Sequence, residues 1–356
     1  MTAKANIAII GGGIAGLSAA WALQNKGARI TLFEAGEVGQ GCSHKAAGMI
    51  TPISETHFGE EKLLKLFLNS LALYPEFVKN IEKASGLEVD FHQTGSLLVA
   101  IDPDDEKELQ RLYNYQKELD LPTTWLTKEE VLNQIPFLSP NIQAGIRAHK
   151  ELFLSNRKLI RALKKALQDN GAMILENQRV EDLYIENEQC KGVVCAEQKQ
   201  TFEQVVVCSG LQNQFPSLPH DVLPALHPVK GQALCLKTTG PYQFDMAVRT
   251  IHRYPVYLVP RSDGHLIVGA TMEDMGYDET VTAGAMMDLL YATWRIFPAS
   301  YEFPVVETWA GLRPATNDRK PVIGPTRIKA LSCALGLYRH GFLLAPMVGK
   351  LIAEVI

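Results

Sequence analysis

The sequence predicts an α/β fold: a Rossmann-like dinucleotide-binding domain, assembled from separated stretches of chain, carrying a second domain with a mainly antiparallel sheet. Three observations predict it. A short apolar strand near the N-terminus runs into a glycine cluster and then a helix. An acidic residue ends the next strand at the spacing that such a unit requires. The stretches 86–146 and 222–303 differ in character from those around them, the second alternating as antiparallel strands do. A chain of 356 residues suits two domains or one large α/β enzyme, and 46% hydrophobic residues suffice for a sizeable core.

The strand is Asn6–Ile10, "NIAII", and the cluster after it satisfies G-x-G-x-x-G with Gly11, Gly13 and Gly16. Gly11 serves the tight turn, Gly13 lets the backbone approach a pyrophosphate, and Gly16 lets the helix pack on the strand. The helix N-terminus offers N–H groups and a positive dipole end to phosphates. Leu17, Ala20 and Trp21 keep one apolar helix face, and Gly27 ends the helix. The second strand, "RITLFEA", carries Glu34, eighteen positions after Gly16 (34 − 16). An acid there accepts hydrogen bonds from ribose hydroxyls and repels a 2′-phosphate. The unit therefore calls for an ADP-containing cofactor other than NADP and leaves FAD and NAD open. Lys4 followed by the apolar run from Ile7 to Leu23 imitates a signal peptide, but the glycines inside the run fit a strand–turn–helix better. No uninterrupted apolar stretch of about 18 residues follows, so no membrane span is expected.

Further along, apolar spacing at Leu159, Ile160, Leu163 and Leu167 predicts a helix within Asn156–Val180, stopped by Gly171 and followed by a strand. "FEQVVVCSG" reads as a buried strand ending at Gly210, a second close approach to the cofactor. The block from about Pro304 is expected to return to the first domain. The resulting division is 1–85, 147–221 and 304–356 for the cofactor domain, with 86–146 and 222–303 for the substrate domain. Within the latter, "GSLLVAI" is a strand and Asp263-Gly264 between apolar runs signals a hairpin.

Composition excludes some functions. A net charge of -4 gives no basic footprint, so nucleic acid is not the default partner. The six cysteines form no C-x-x-C pair, and no metal site is expected; they suit small buried positions and a reducing cytoplasm. "WAGLRPA" (Trp309–Ala315) places a permanent cation, Arg313, among uncharged neighbours. Such a residue needs water or an anionic partner. That partner is either an ion-paired side chain, Glu307 or Asp318, or a ligand carboxylate. Tyr257, in "VYLVP", is by itself an ordinary aromatic of a half-buried strand.

The loop Ala35–Pro52, "AGEVGQGCSHKAAGMITP", is rich in small residues, which let backbone lie along a flat ring. Together with "HPVKGQ" (His227–Gln232), "VYLVPRSDGHLIVGATMED" (Val256–Asp274), "WAGLRPATNDRKPVIG" (Trp309–Gly324) and "GLYRHGFLLAP" (Gly336–Pro346), it resembles the glycine oxidase and D-amino acid oxidase family of FAD enzymes from end to end. The resemblance implies FAD, held non-covalently, with Ile14 and Ala15 at the pyrophosphate and Glu34 and Ala35 at the adenosine ribose. Cys42, Ser43, Ala47, Gly48 and Met49 would line the flavin and diphosphate, and Val180 would meet the adenine from a second strand. Leu337, Tyr338, Arg339, His340, Gly341, Phe342 and Leu343 would cover the flavin's pyrimidine edge, where a helix N-terminus favours negative charge. Arg313 and Tyr257 would hold the substrate carboxylate, with Met49 and Arg339 at the substrate as well.

The implied reaction is oxidation of glycine or another small amino acid. Hydride passes from Cα to flavin N5, the imine hydrolyses to an oxo-acid and ammonia, and O2 becomes H2O2. In such relatives the product feeds thiazole synthesis for thiamine, and homo-oligomers are common. Alternatives are a quinone-linked D-amino acid dehydrogenase and a tRNA-modifying flavin amine oxidase. The sequence departs from the family pattern within Gly336-Leu337-Tyr338-Arg339-His340-Gly341, where G-H-x-R-N-G is usual, at Asp318-Arg319-Lys320-Pro321 and at His44-Lys45. Some relatives link flavin through a histidine near this loop; here Lys45 fills that slot, and Ala315 and Thr316 stand where others carry a linking cysteine.

Overall fold

The computed structural model describes residues 5–251 and 255–356; Lys4 lies outside them. Its first sheet has Asn6–Ile10 at the centre, Gln204–Val207 and Arg29–Phe33 on either side, and Leu331–Leu335 and Met173–Leu175 beyond. These five strands run parallel, and Val322–Pro325 closes one edge antiparallel. The strands are apolar without alternation because both faces are covered. Ile7 and Ile9 face the helices Ile14–Asn25, Asn156–Asp169 and Gly341–Val355. Ala8 and Ile10 face a three-stranded antiparallel sheet, Asp182–Glu186, Gln189–Cys195 and Gln198–Thr201. Strand order reverses direction at Asn6–Ile10, which opens a crevice at the carboxyl ends of the strands. The first helix ends as the sequence predicts, at Asn25, with Gly27 at φ +93 just beyond.

The second sheet has eight strands in the order Val305–Thr316, Leu226–Lys237, His265–Gly269, Tyr257–Pro260, Ala247–Thr250, Ser96–Ala100, Ala144–Ala148 and Thr123–Thr127. All neighbours are antiparallel except Ala247–Thr250 with Ser96–Ala100. The Asp263-Gly264 hairpin is present: the Gly264 N–H donates to the Arg261 carbonyl at 2.9 Å between two paired strands. One expected boundary is corrected. Val305–Thr316 does not join the first sheet with the rest of 304–356. It pairs with Leu226–Lys237 from Leu226↔Thr316 to Leu236↔Val305, because "HPVKGQ" supplies its backbone partners. Val180 likewise stands in the connection between Met173–Leu175 and Asp182–Glu186, not on a strand. The helix Ala283–Ile296 was not expected; it is apolar around most of its circumference, which hides the helical period.

The C-terminal helix must be held firmly, because its N-terminus faces the crevice. Pro346 lies inside it and cannot donate to the carbonyl four residues earlier, Phe342. The fully buried Tyr74 hydroxyl of the helix Glu61–Ser85 donates to that carbonyl instead, and Ser70, one turn away, donates to Leu343 O at 2.6 Å. Tyr74→Phe leaves the Phe342 carbonyl without this donor. We expect about 1–3 kcal/mol of lost stability in denaturant unfolding, whereas an unchanged midpoint would show that the contact contributes nothing.

Candidate active site

The carboxyl ends of four parallel strands converge on one cavity of about 1660 Å³, whose opposite wall is the eight-stranded sheet. Every residue singled out in the sequence for cofactor or substrate lines it, except Gly16. Gly16 sits behind the wall: a Cβ there would collide with the Gly11 carbonyl oxygen, so only glycine lets the helix approach this closely. Gly11 itself is at φ +106, and a Cβ there would be 2.5 Å from Cys208 O. Gly13 caps the first helix with no side-chain hydrogen bond, and the first-turn N–H of Ile14 donates to Ser43 Oγ at 3.0 Å. The Glu34 carboxylate is fixed by N–H groups of Gly12 (2.7 Å) and Gly36 (2.9 Å), which leaves further lone pairs on both oxygens. The Ser209 hydroxyl, on the cavity wall after the strand Gln204–Val207, is buried without a hydrogen-bond partner. A glycine cradle at a helix N-terminus, a ribose-spaced acid and an unsatisfied hydroxyl fit the ADP half of FAD. Ser209 was missed in the sequence, though it directly precedes Gly210.

The facing wall follows from strand register. Ala233, Gly269, Tyr257, Arg249 and Leu98 lie in one cross-strand row, so their side chains share a face. Gly231, Gly311 and Arg313 sit two or four residues along neighbouring strands and project to the same side. Glycine and alanine make this wall flat where larger side chains would fill it. Nothing local to Gly231 or Gly269 signals their importance. A Cβ at Gly231 would occupy the place of the Arg313 guanidinium, and one at Gly269 the place of the Tyr257 hydroxyl.

Arg313 donates from Nη1 to Lys230 O (3.1 Å) and from Nη1 and Nη2 to Thr271 O (3.2 Å each). Neither carboxylate considered as its partner is paired with it. Glu307 is held bidentately by Arg157 at 2.8 and 2.9 Å, and Asp318 pairs with Lys320 at 3.2 Å. Neutral carbonyls orient the Arg313 guanidinium without cancelling its charge. Burial raises the Tyr257 hydroxyl's pKa while Arg313 works against this, so the group stays a neutral donor. Burial likewise pushes the Cys42 thiol up to about 11, partly offset by Arg313, which keeps it protonated. Met49 borders the cavity from the short strand Met49–Ile50.

Arg339 lines the cavity and is also engaged by neighbouring side chains. Its Nε lies 3.5 Å from Glu55 Oε2, and its Nη2 donates to His57 Nε2 at 2.5 Å. Arg249 approaches the other Glu55 oxygen at 3.2 Å. Burial alone would raise the Glu55 carboxyl, but Arg249, Arg339 and the two nearby histidines outweigh it and hold it at about 2. His340 is pushed down to about 4, chiefly by burial, and so is neutral. The helix Gly341–Val355 begins beside these groups with its first residues on the cavity. Lys45 lines the cavity, whereas His44 does not; its carbonyl accepts from Asn156 Nδ2 at 3.0 Å. Among the described residues no cluster of three or more His, Cys, Asp or Glu could hold a metal ion, and no helix is long and apolar enough to cross a membrane.

A crevice at the switch point of a parallel sheet, faced by a mainly antiparallel sheet whose Arg313 has no carboxylate partner among the described residues, suits a dinucleotide-dependent oxidoreductase acting on an acid. The family model described as DAO, FAD dependent oxidoreductase, matches residues 6–355, and the chain belongs to that family. It is 30% identical over 361 residues to a glycine oxidase from Geobacillus kaustophilus, covering 100% of this chain and 94% of that protein. It is 32% identical over 350 residues to a putative thiamine biosynthesis oxidoreductase from Rhizobium etli, covering 98% and 95%. A bifunctional ThiO/ThiG protein of Trichormus variabilis is 30% identical, and the chain spans 52% of its length. The crystal structure of glycine oxidase from Bacillus cereus superposes with a TM-score of 0.91 at 27% identity, covering 99% of this chain and 97% of that one.

Proposed function

We propose that this protein uses non-covalently bound FAD to oxidise glycine or another small amino acid, with Arg313 and Tyr257 binding the carboxylate. The observation that carries this reading is the Arg313 guanidinium, aimed along the cavity wall and, among the described residues, left with only carbonyl partners. A planar fork with its charge uncancelled suits a carboxylate bidentately, and the neutral Tyr257 hydroxyl adds one donor. Bound FAD supplies the two-electron acceptor for the Cα–H bond. The protein's part is to hold the amino acid by its carboxylate and keep water from the reacting carbon with the flat Gly/Ala wall. The balanced outcome is amino acid, O2 and water giving a 2-oxo acid, ammonia and H2O2. The first sheet and its helices act as the cofactor domain, and the eight-stranded sheet, including Val305–Thr316, as the substrate domain. The names of the relatives support a supply role in thiamine biosynthesis. His44 is not among the residues that line the cavity, which supports non-covalent binding of the flavin.

Anaerobic mixing with glycine, sarcosine, D-alanine and D-proline should bleach the flavin absorbance, and ethylamine should not. Equal bleaching by ethylamine would remove Arg313 from the reading. Readmitted O2 should restore the absorbance; recovery only with a quinone would replace the oxidase by a dehydrogenase.

A further inference from the structure

Around Glu55 the cavity wall carries two guanidiniums for one carboxylate, although Glu279 and Asp288 also line the cavity. Arg249 and Arg339 both line it, and both lean on one carboxylate, Glu55. Their side chains are 21% and 23% exposed, so each is open to the cavity in part. The contact between Arg249 Nη1 and Glu55 is poorly directed: that nitrogen is buried at 3.2 Å from the carboxylate yet makes no hydrogen bond to the described residues. His57 and His340, whose pKa values burial lowers, add no anion. The nearby Glu151 carboxyl is fully buried and already accepts from Ile53 N (2.6 Å), Ser54 N (2.7 Å) and the Ser96 hydroxyl. Arg249 therefore has a fork of donors, a cavity in front of it and half a counter-ion.

Its place in the sheet defines what could meet it. Arg249 is the direct cross-strand neighbour of Tyr257, and the Tyr257 strand lies between those of Arg249 and Arg313. A molecule whose carboxylate is held by Arg313 and Tyr257 thus presents its other end towards Arg249. We propose that Arg249, assisted by Arg339, forms a second anion subsite across Tyr257 from Arg313, and that this enzyme prefers small amines bearing two carboxylates. The inference rests on the reading of Arg313 given above. It assigns the second carboxylate to the N- or Cα-substituent, so the substrate class is an amino diacid and not glycine alone.

The test uses unreactive ether analogues with the FAD-loaded enzyme. Oxydiacetate carries two carboxylates, and methoxyacetate carries one on a similar frame. Each is titrated against the visible flavin spectrum. Oxydiacetate should bind about tenfold or more tightly, as expected for an added charge-assisted contact. Arg249→Gln should collapse that ratio towards one, and Arg249→Lys should keep part of it, which separates lost charge from lost folding. Equal affinity of the two analogues for the unaltered enzyme would overturn the second subsite. So would a ratio unaffected by Arg249→Gln. Failure of both analogues to bind, with no bleaching by any amino acid, would instead overturn the Arg313 reading beneath it.

Discussion

Arg313→Met raises KM for glycine or sarcosine roughly 30- to 700-fold, the equivalent of about 2–4 kcal/mol for a lost bidentate charge-assisted anchor. The size follows from the surroundings. Lys230 O and Thr271 O orient the guanidinium but give it no counter-charge, so its electrostatic attraction remains for a ligand. Methionine keeps the bulk and removes only the donors. Arg313→Lys should recover part of the loss, since an ammonium restores charge without the planar fork. Flavin content should not change, because Arg313 lies on the facing sheet, away from the glycine turn. Steady-state kinetics with the flavin-to-protein ratio measured alongside will check both statements; an unaltered KM would place the substrate carboxylate elsewhere.

Gly16→Ala is expected to yield protein largely stripped of FAD. The added Cβ would collide with the Gly11 carbonyl, a backbone atom that cannot swing away as a side chain would. Relief requires the first helix to lift from the first strand, and the lift moves Gly13 and Ile14, whose backbone forms the cradle. Overpacking of this kind costs about 1–3 kcal/mol in stability, and the displaced N–H groups lose the pyrophosphate as well. The ratio of flavin to protein absorbance in purified enzyme should fall by about tenfold. Retention of stoichiometric FAD would mean that this close approach is not required.

The glycine cradle is legible in the sequence, and the arginine site only in part. Gly11, Gly13, Gly16 and Glu34 act within one strand–helix–strand unit, so their spacing encodes their geometry. Arg313 stood out because its immediate neighbours are uncharged, yet its freedom from Glu307 could not be read: Arg157, which takes that carboxylate, is 150 positions away. The Glu55–Arg249–Arg339 group was invisible for the same reason, since the fold brings it together from one strand and two distant connections. Gly231 and Gly269 carry no local signal. Their meaning lies in the side chain each makes room for across the sheet, and that pairing appears only once the strands are aligned. The block from about Pro304 is expected to return to the cofactor domain, yet its strand Val305–Thr316 pairs with Leu226–Lys237, because position in the chain is a poor guide to hydrogen-bonding partner.

The chain alternates between its two largest sheets: residues 6–33 build the first, 96–148 the second, 173–175 and 204–207 the first again, 226–316 the second, and 322–335 the first. Neither sheet is a contiguous piece of sequence, so neither can be cut out and expected to fold by itself. The central strand Asn6–Ile10 waits for a neighbour almost 200 residues later, Gln204–Val207, before one of its edges is covered. Such long-range pairing makes for slow assembly. It also means that the two walls of the cavity reach maturity together: a growing chain has no complete substrate wall until residue 316 has emerged, and no finished cofactor cradle until the C-terminal helix has docked.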